Sequence, residues 1–231
     1  MDNYSHNSSC CVGTHHSKCF DVLSQDEYQY LFSNSVEVKY KKQEIIFKQG
    51  SLASQVVYME DGLAKVFIEN DNNALVLKII PNGNFLGLTS ISEENNIHQY
   101  SAMAYVNSKI RQFDISKIRT LIKQNALFGK EIIEILNANS LQIYNRFFCI
   151  NFKQSYGRLA DIILCLSNRI FKNDEFELPL NRKELAELVG LTPETVIRLL
   201  KKFTDDGILR IENKTFKVVD YERLLSISEK G

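Results

Sequence analysis

Residues 181–203 read NRKELAELVGLTPETVIRLLKKF, two amphipathic runs divided by a single glycine. Asn181 stands three residues before Glu184, the spacing at which an N-cap side chain and a returning carboxylate satisfy orphan backbone N–H groups at a helix start. Gly190 tolerates the left-handed turn that ends such a helix. Thr192-Pro193 then offers a second N-cap, with proline where its missing N–H costs nothing. The spacing predicts helix, tight turn, helix. On a wheel of roughly 100° per residue, Val196, Leu199, Leu200 and Phe203 share one face, and Glu194, Arg198 and Lys201 lie opposite. Thr195 and Lys202 flank the polar face on one side and Ile197 on the other. The oily face must pack on Leu185, Ala186 and Val189 of the preceding helix, so the polar face is free to enter a groove.

An arginine so placed can bond guanine O6 and N7 bidentately, and a neighbouring glutamate can accept from cytosine N4. Glu194 with Arg198 can therefore read one G·C pair, with Thr192, Thr195 and Ile197 alongside and Lys201 and Lys202 suited to phosphates. The bland alternative is a surface helix with an i,i+4 Glu–Arg pair, worth only about a few tenths of a kcal/mol. Small, flexible and buried residues fall in turn where a helix-turn-helix needs them, which favours DNA. The hairpin ILRIENKTFKVV, 208–219, turns at Glu212-Asn213-Lys214 and predicts a wing, with Lys214 and Lys217 within reach of backbone phosphates.

Further upstream the period changes. FDVLSQDEYQYLF (20–32) has near-helical spacing, and six β-rich runs follow between Val36 and Phe113: VEVKY, EIIF, VVYM, AKVFI, ALVLKII and KIRQF. The turn signals QGS, EDG, NDNN and PNGN separate them, which predicts an antiparallel roll or sandwich. From Ile115 to Phe152 there is no proline, and Ile132, Leu136, Asn139, Ile143, Arg146 and Ile150 recur at steps of four and three. These read as a dimer seam, its register fixed by the polar Asn139 and Arg146; the other reading is one stripe packed on its own domain. After Tyr156 come the helix GRLADIILCLSNRIF, the linker KNDEFELPL, the two short helices, the hairpin and a tail helix, YERLLSI. The expected layout is a leader (1–19), a β-roll that senses an effector (20–114), a dimerisation helix (115–153) and a winged helix-turn-helix (154–231). The fold class is α+β.

Composition bounds the function. The 231 residues are 44% hydrophobic, enough for two moderate cores, and the formal net charge is zero, so any nucleic-acid site must be a local patch. Five cysteines, an odd number, suggest reduced thiols rather than a disulfide framework. No apolar run reaches the roughly 18 residues of a membrane span, and the first twenty residues are polar where a secretory signal is greasy. We expect a cytoplasmic chain with no membrane partner. A phosphate-binding G-x-x-x-x-G-K-[ST] loop, H-E-x-x-H and G-x-S-x-G are all missing, so we expect no enzyme.

On these residues the chain resembles the Crp/Fnr family of bacterial transcription regulators, from Phe20 to the C-terminus. The likeness is strongest in LAELVGLTPETVIRLLKKFTDDGIL; in the roll QEIIFKQGS, VVYMEDGLAKVF and PNGNFLG look like the family's β-roll turns. The resemblance implies a cyclic-nucleotide-binding-like, jelly-roll-type N-terminal domain and a homodimer joined by the long helix. It also implies a palindromic double-stranded DNA site, a small effector sensed in the roll and contact with RNA polymerase. Nucleotide-binding members follow the FLG turn with a glutamate and later carry Arg-Ser, whereas Gly87 is followed here by Leu88 and the later pair is Tyr100-Ser101. The residues that meet adenine from the long helix correspond to Ile143 and Tyr144. A buried phosphate would have no cation among these, so no cyclic-nucleotide response is expected.

His6, Cys10, Cys11, His15, His16 and Cys19 precede the roll, where the family's oxygen-sensing branch keeps cluster-ligating cysteines. Either Cys10, Cys11 and Cys19 hold iron–sulfur, zinc or haem, or the leader is polar with incidental thiols. The spacing differs from the branch's, and its fourth ligand falls on Ile110. His98 is a further haem candidate, while Cys149 and Cys165 lie on apolar helical faces as core residues. The rival function is a small-molecule or redox sensor with a vestigial DNA-binding domain, which a mobility-shift assay separates from a regulator.

Overall fold

The structure, a computed structural model, describes residues 18–70 and 73–231. Contacts divide the described residues into two compact units, one closing at Leu141 and the other opening at Gln142.

The N-terminal unit opens with α1 (Gln25–Phe32), started by a capping box in which Ser24 and Glu27 exchange side-chain and backbone bonds. Eight strands follow: β1 (Val36–Tyr40), β2 (Ile45–Phe47), β3 (Gln55–Asp61), β4 (Leu63–Asn70), β5 (Asn73–Pro81), β6 (Phe85–Leu86), β7 (Ser101–Ala104) and β8 (Ser108–Asp114). All six predicted runs are strands. The sequence pattern missed β6 and β7, one only two residues long and the other built of Ser, Ala and Met. The strands form two four-stranded antiparallel sheets, ordered β1-β8-β3-β6 and β2-β7-β4-β5. Between them, Val57, Met59 and Ile110 of the first sheet meet Ala64, Val66, Ile80 and Ala102 of the second in one apolar cluster. This is the expected roll.

The proline-free stretch is two helices, α2 (Ile115–Gln124) and α3 (Ala126–Phe152). Asn125 breaks them. Its backbone is extended (φ −119°, ψ 103°), its Oδ1 accepts from the Phe128 N–H at 3.0 Å as an N-cap, and its Nδ2 donates to the Val22 carbonyl. Phe128, Ile132 and Ile135 of α3 join Leu31, Val56, Phe113, Ile118 and Leu121 in a second core cluster, with Leu136 packed against it.

The C-terminal unit contains α4 (Ser155–Cys165) continued by a π-helical turn to Phe171, β9 (Glu175–Glu177), α5 (Arg182–Val189), α6 (Pro193–Asp205), β10 (Leu209–Glu212), β11 (Thr215–Val218) and α7 (Tyr221–Lys230). The predicted linker supplies β9, which pairs with β11 to make the wing three-stranded. Asn213 turns the hairpin at φ +57°.

Candidate nucleic-acid interface and effector pocket

The opening stretch folds as its punctuation demands. Asn181 accepts from the Glu184 N–H at 2.8 Å while the Glu184 carboxylate receives the Asn181 N–H at 2.8 Å. Gly190 closes α5 in the left-handed region, φ 73° and ψ 45°, and the Thr192 hydroxyl accepts from the Thr195 N–H. Leu185, Ala186 and Val189 of α5 are buried, as are Val196, Leu199, Leu200 and Phe203 of α6. Glu194, Ile197, Arg198, Lys201 and Lys202 are exposed, with Thr192 at the helix start also exposed and Thr195 partly so.

Glu194, Arg198 and Lys201 form no hydrogen bond or ion pair among the described residues, so the i,i+4 Glu–Arg pair of the bland alternative is not made. An unpaired guanidinium and carboxylate on one exposed face can engage base edges without first breaking a bond to each other. The other cations are committed to different degrees. The Lys202 ammonium sits 4.8 Å from the centre of the Tyr156 ring, and Lys217 pairs with Glu175 of β9 at 2.7 Å. Lys214 is exposed at the tip of the wing.

The predicted seam needs correction. Ile132 and Leu136 turn inward to the core of the N-terminal unit, and Asn139 accepts a hydrogen bond from Lys78. Arg146 is only 2% exposed and donates through Nη2 to the Leu188 carbonyl at 2.5 Å. Ile150 is half-buried and Ile143 lies at the exposed margin. The outward row is displaced from the predicted one: Ile133, Leu141, Tyr144, Phe147, Phe148 and Phe152 are 54–71% exposed. Both faces of α3 are apolar, so the period could not say which one turns inward.

In the roll, Gly87 adopts φ +85°, and a β-carbon there would lie 3.4 Å from His98 Cε1. Its N–H donates to the Tyr100 hydroxyl at 2.9 Å; burial raises the pKa of that phenol. Leu88 is buried. The Ser101 hydroxyl accepts from the Gln49 N–H at 2.9 Å and donates to Glu69 at 3.2 Å. Ile143 and the exposed Tyr144 lie beyond Leu141, in the stretch of α3 that belongs to the C-terminal unit. The sequence reading missed Lys78 of β5. It is 4% exposed, donates to Asn139 Oδ1 at 2.6 Å, and has its pKa lowered by burial to about 8. A charge in the middle of the apolar run ALVLKII was the available signal.

The described residues do not fit an iron–sulfur or haem site. Cys19 is buried with Leu31, Val56 and Phe113, Ile110 is aliphatic core, and among the described residues no group of three or more His, Cys, Asp or Glu could hold a metal ion. His98 is stacked on Phe47 at 3.9 Å with its pKa lowered by burial, and its Nδ1 is buried with no hydrogen-bond partner among the described residues. Cys10 and Cys11 lie outside the described residues. Cys149 and Cys165 are buried in the C-terminal unit, and Cys165 is disulfide-bonded, so the expectation of reduced thiols fails there. Among the described residues no helix is long and apolar enough to cross a membrane.

Residues 157–227 match the family model of the Crp-like helix-turn-helix domain, and residues 37–125 that of the cyclic nucleotide-binding domain. The chain is 24% identical over 188 residues to the cAMP-activated global transcriptional regulator CRP of Salmonella typhimurium, covering 78% of this chain and 88% of that one. It is 23% identical over 186 residues to the transcriptional activator protein FnrA of Stutzerimonas stutzeri, covering 78% and 75%. Among solved structures, FixK2 of Bradyrhizobium japonicum superposes with a TM-score of 0.77 at 19% identity, over 84% of this chain and 96% of that one. A CooA variant from Carboxydothermus hydrogenoformans gives 0.75 at 20% identity, over 94% and 99%. The fold is shared with both.

Proposed function

The chain belongs to the Crp/Fnr family of DNA-binding transcription regulators, and from that premise we propose that it acts as a homodimer on a palindromic DNA site, governed by an effector that is not a cyclic nucleotide. Its relatives are regulators rather than enzymes. The observation that carries the reading is the outward trio Glu194, Arg198 and Lys201, unpaired among the described residues above the buried face of α6. In this reading Arg198 and Glu194 divide the two bases of a G·C pair, Thr192, Thr195 and Ile197 contact the neighbouring groove, and Lys201, Lys202, Lys214 and Lys217 hold phosphates. Lys202 and Lys217 would leave Tyr156 and Glu175 to do so.

The outward row of α3 supports dimerisation. Each large apolar side chain that leaves water there is worth about 1.5–3 kcal/mol, and a second copy would bury the same row by symmetry. Two-fold related recognition helices would then meet half-sites about 34 Å apart. Against a cyclic nucleotide stand the occupied groups of the roll: the Gly87 N–H already bonds Tyr100, and the Ser101 hydroxyl already serves Gln49 and Glu69. Operation in the cytoplasm and contact with RNA polymerase belong to the same proposal.

Selection of binding sites from random duplex DNA by the full chain, followed by mobility-shift titration, tests it. Recovered sequences should be inverted repeats with one G·C pair held constant in each half. Selection that enriches nothing over the starting pool would sink the reading.

A further inference from the structure

Lys78 sits in β5 opposite Val66 of β4 and two residues before Ile80, and side chains so related share one face of a sheet. Val66 and Ile80 both belong to the apolar cluster between the two sheets, so the lysine is sent into the roll rather than out of it. Its one partner among the described residues is the neutral Asn139 amide, with no carboxylate in ion-pair reach. A buried ammonium without a counter-charge is among the costliest groups a fold can carry. Asn139 spends its carbonyl oxygen on Lys78, and its Nδ2 makes no bond to any described residue. Two donors therefore stand together, one of them charged, with no acceptor of opposite sign among the described residues.

We propose that the roll's effector is a small anion, a carboxylate or a phosphate ester, received by Lys78 Nζ and Asn139 Nδ2. The inference rests on the reading of the roll as the effector-sensing unit and names its ligand class. An ammonium is a point charge that accepts either oxyanion, and the Asn139 N–H adds direction. Val66 and Ile80, on the same sheet face as Lys78, are the apolar neighbours that the hydrocarbon body of such a molecule would meet. Because Asn139 lies on α3, which runs on to Phe152, the ligand would bear directly on the helix whose outward row is assigned to the dimer.

The test uses the full chain labelled with carbon-13 at the lysine ε positions, the Lys78 resonance being assigned by its loss in Lys78→Met. Hexanoate and phenyl phosphate are titrated beside their uncharged counterparts, hexanamide and phenol, and beside cyclic AMP. A saturable shift of the Lys78 signal with hexanoate alone identifies a carboxylate, and with phenyl phosphate alone a phosphate ester. Calorimetry on Lys78→Met should then show at least a tenfold loss of affinity for the active anion, with part of it kept in Lys78→Arg. A resonance that neither anion moves, or that the neutral compounds move equally, overturns the proposal. A shift with cyclic AMP keeps the anion site but removes the exclusion of cyclic nucleotides. No DNA enters these measurements, so their failure leaves the DNA reading standing, and a chain that takes the anion yet selects no DNA site fails only the latter.

Discussion

Arg146 of α3 donates through Nη2 to the carbonyl of Leu188 in the last turn of α5, at 2.5 Å and out of contact with solvent. The last carbonyls of a helix have no partner within it, so a cation there satisfies an orphan group and complements the negative end of the helix dipole. The bond joins the long helix to the first helix of the helix-turn-helix pair. Lys153 and Asp161 make a second tie at 3.4 Å, with the Ser228 hydroxyl donating to the same carboxylate.

Arg146→Met keeps much of the packed stem and removes the donor, leaving the Leu188 carbonyl short of a partner. The expected cost is about 1–3 kcal/mol. Chemical denaturation followed through hydrogen exchange of the α5 and α6 amides checks it; unchanged protection would mean the contact contributes nothing to the unit.

Arg198→Ala should lose about 1–3 kcal/mol of discrimination at one G·C pair while other positions keep their preference. Lys201→Ala should weaken every sequence alike and flatten the salt dependence by roughly one phosphate contact. Binding isotherms for matched and mismatched duplexes at several salt concentrations separate the two. Equal losses for both variants on all DNA would contradict the division of roles.

The two faces of α3 should respond differently to substitution. Tyr144→Asp with Phe148→Asp strikes the outward row, and sedimentation should show a folded monomer. Ile132→Ala hollows the core instead and should cost about 2–5 kcal/mol without changing the association state of the folded fraction. Dimers that survive the double aspartate variant would move the interface elsewhere.

Lys78 is held at about 8 in the folded chain against a reference value of 10.5. Between these values the unfolded chain binds more protons, so stability should rise as pH climbs through that window, while below it the full penalty stands. The shift corresponds to about 3 kcal/mol. Lys78→Met should therefore stabilise the ligand-free protein at neutral pH by about 1–3 kcal/mol and lose the alkaline rise. Urea titrations from neutral to alkaline pH decide, and a variant less stable than its parent would show that the ammonium is compensated after all.

Much of the fold was legible because its signals are local. Asn181 and Glu184, Gly190, and Thr192 before Pro193 act within a few residues of one another, so their spacing alone sets the turn and sorts α6 into an oily and a charged face. The six β-rich runs announced themselves by branched residues between turn signals. What escaped were elements that exist only through partners far along the chain: β7 is held by β2 and β4, and β9 by β11. The break at Asn125 was also missed, although an asparagine inside a helical stretch is a possible cap.

The recognition unit and the alternation of the roll were readable along the chain, since both follow from short-range hydrogen bonding and the period of the apolar residues. Long-range packing settled which side of α3 turns inward, that the Gly87 N–H is taken by Tyr100, and that Lys78 is buried beside Asn139. Burial belongs to the neighbours a residue acquires, and those neighbours lie tens of residues away, beyond the reach of any periodicity.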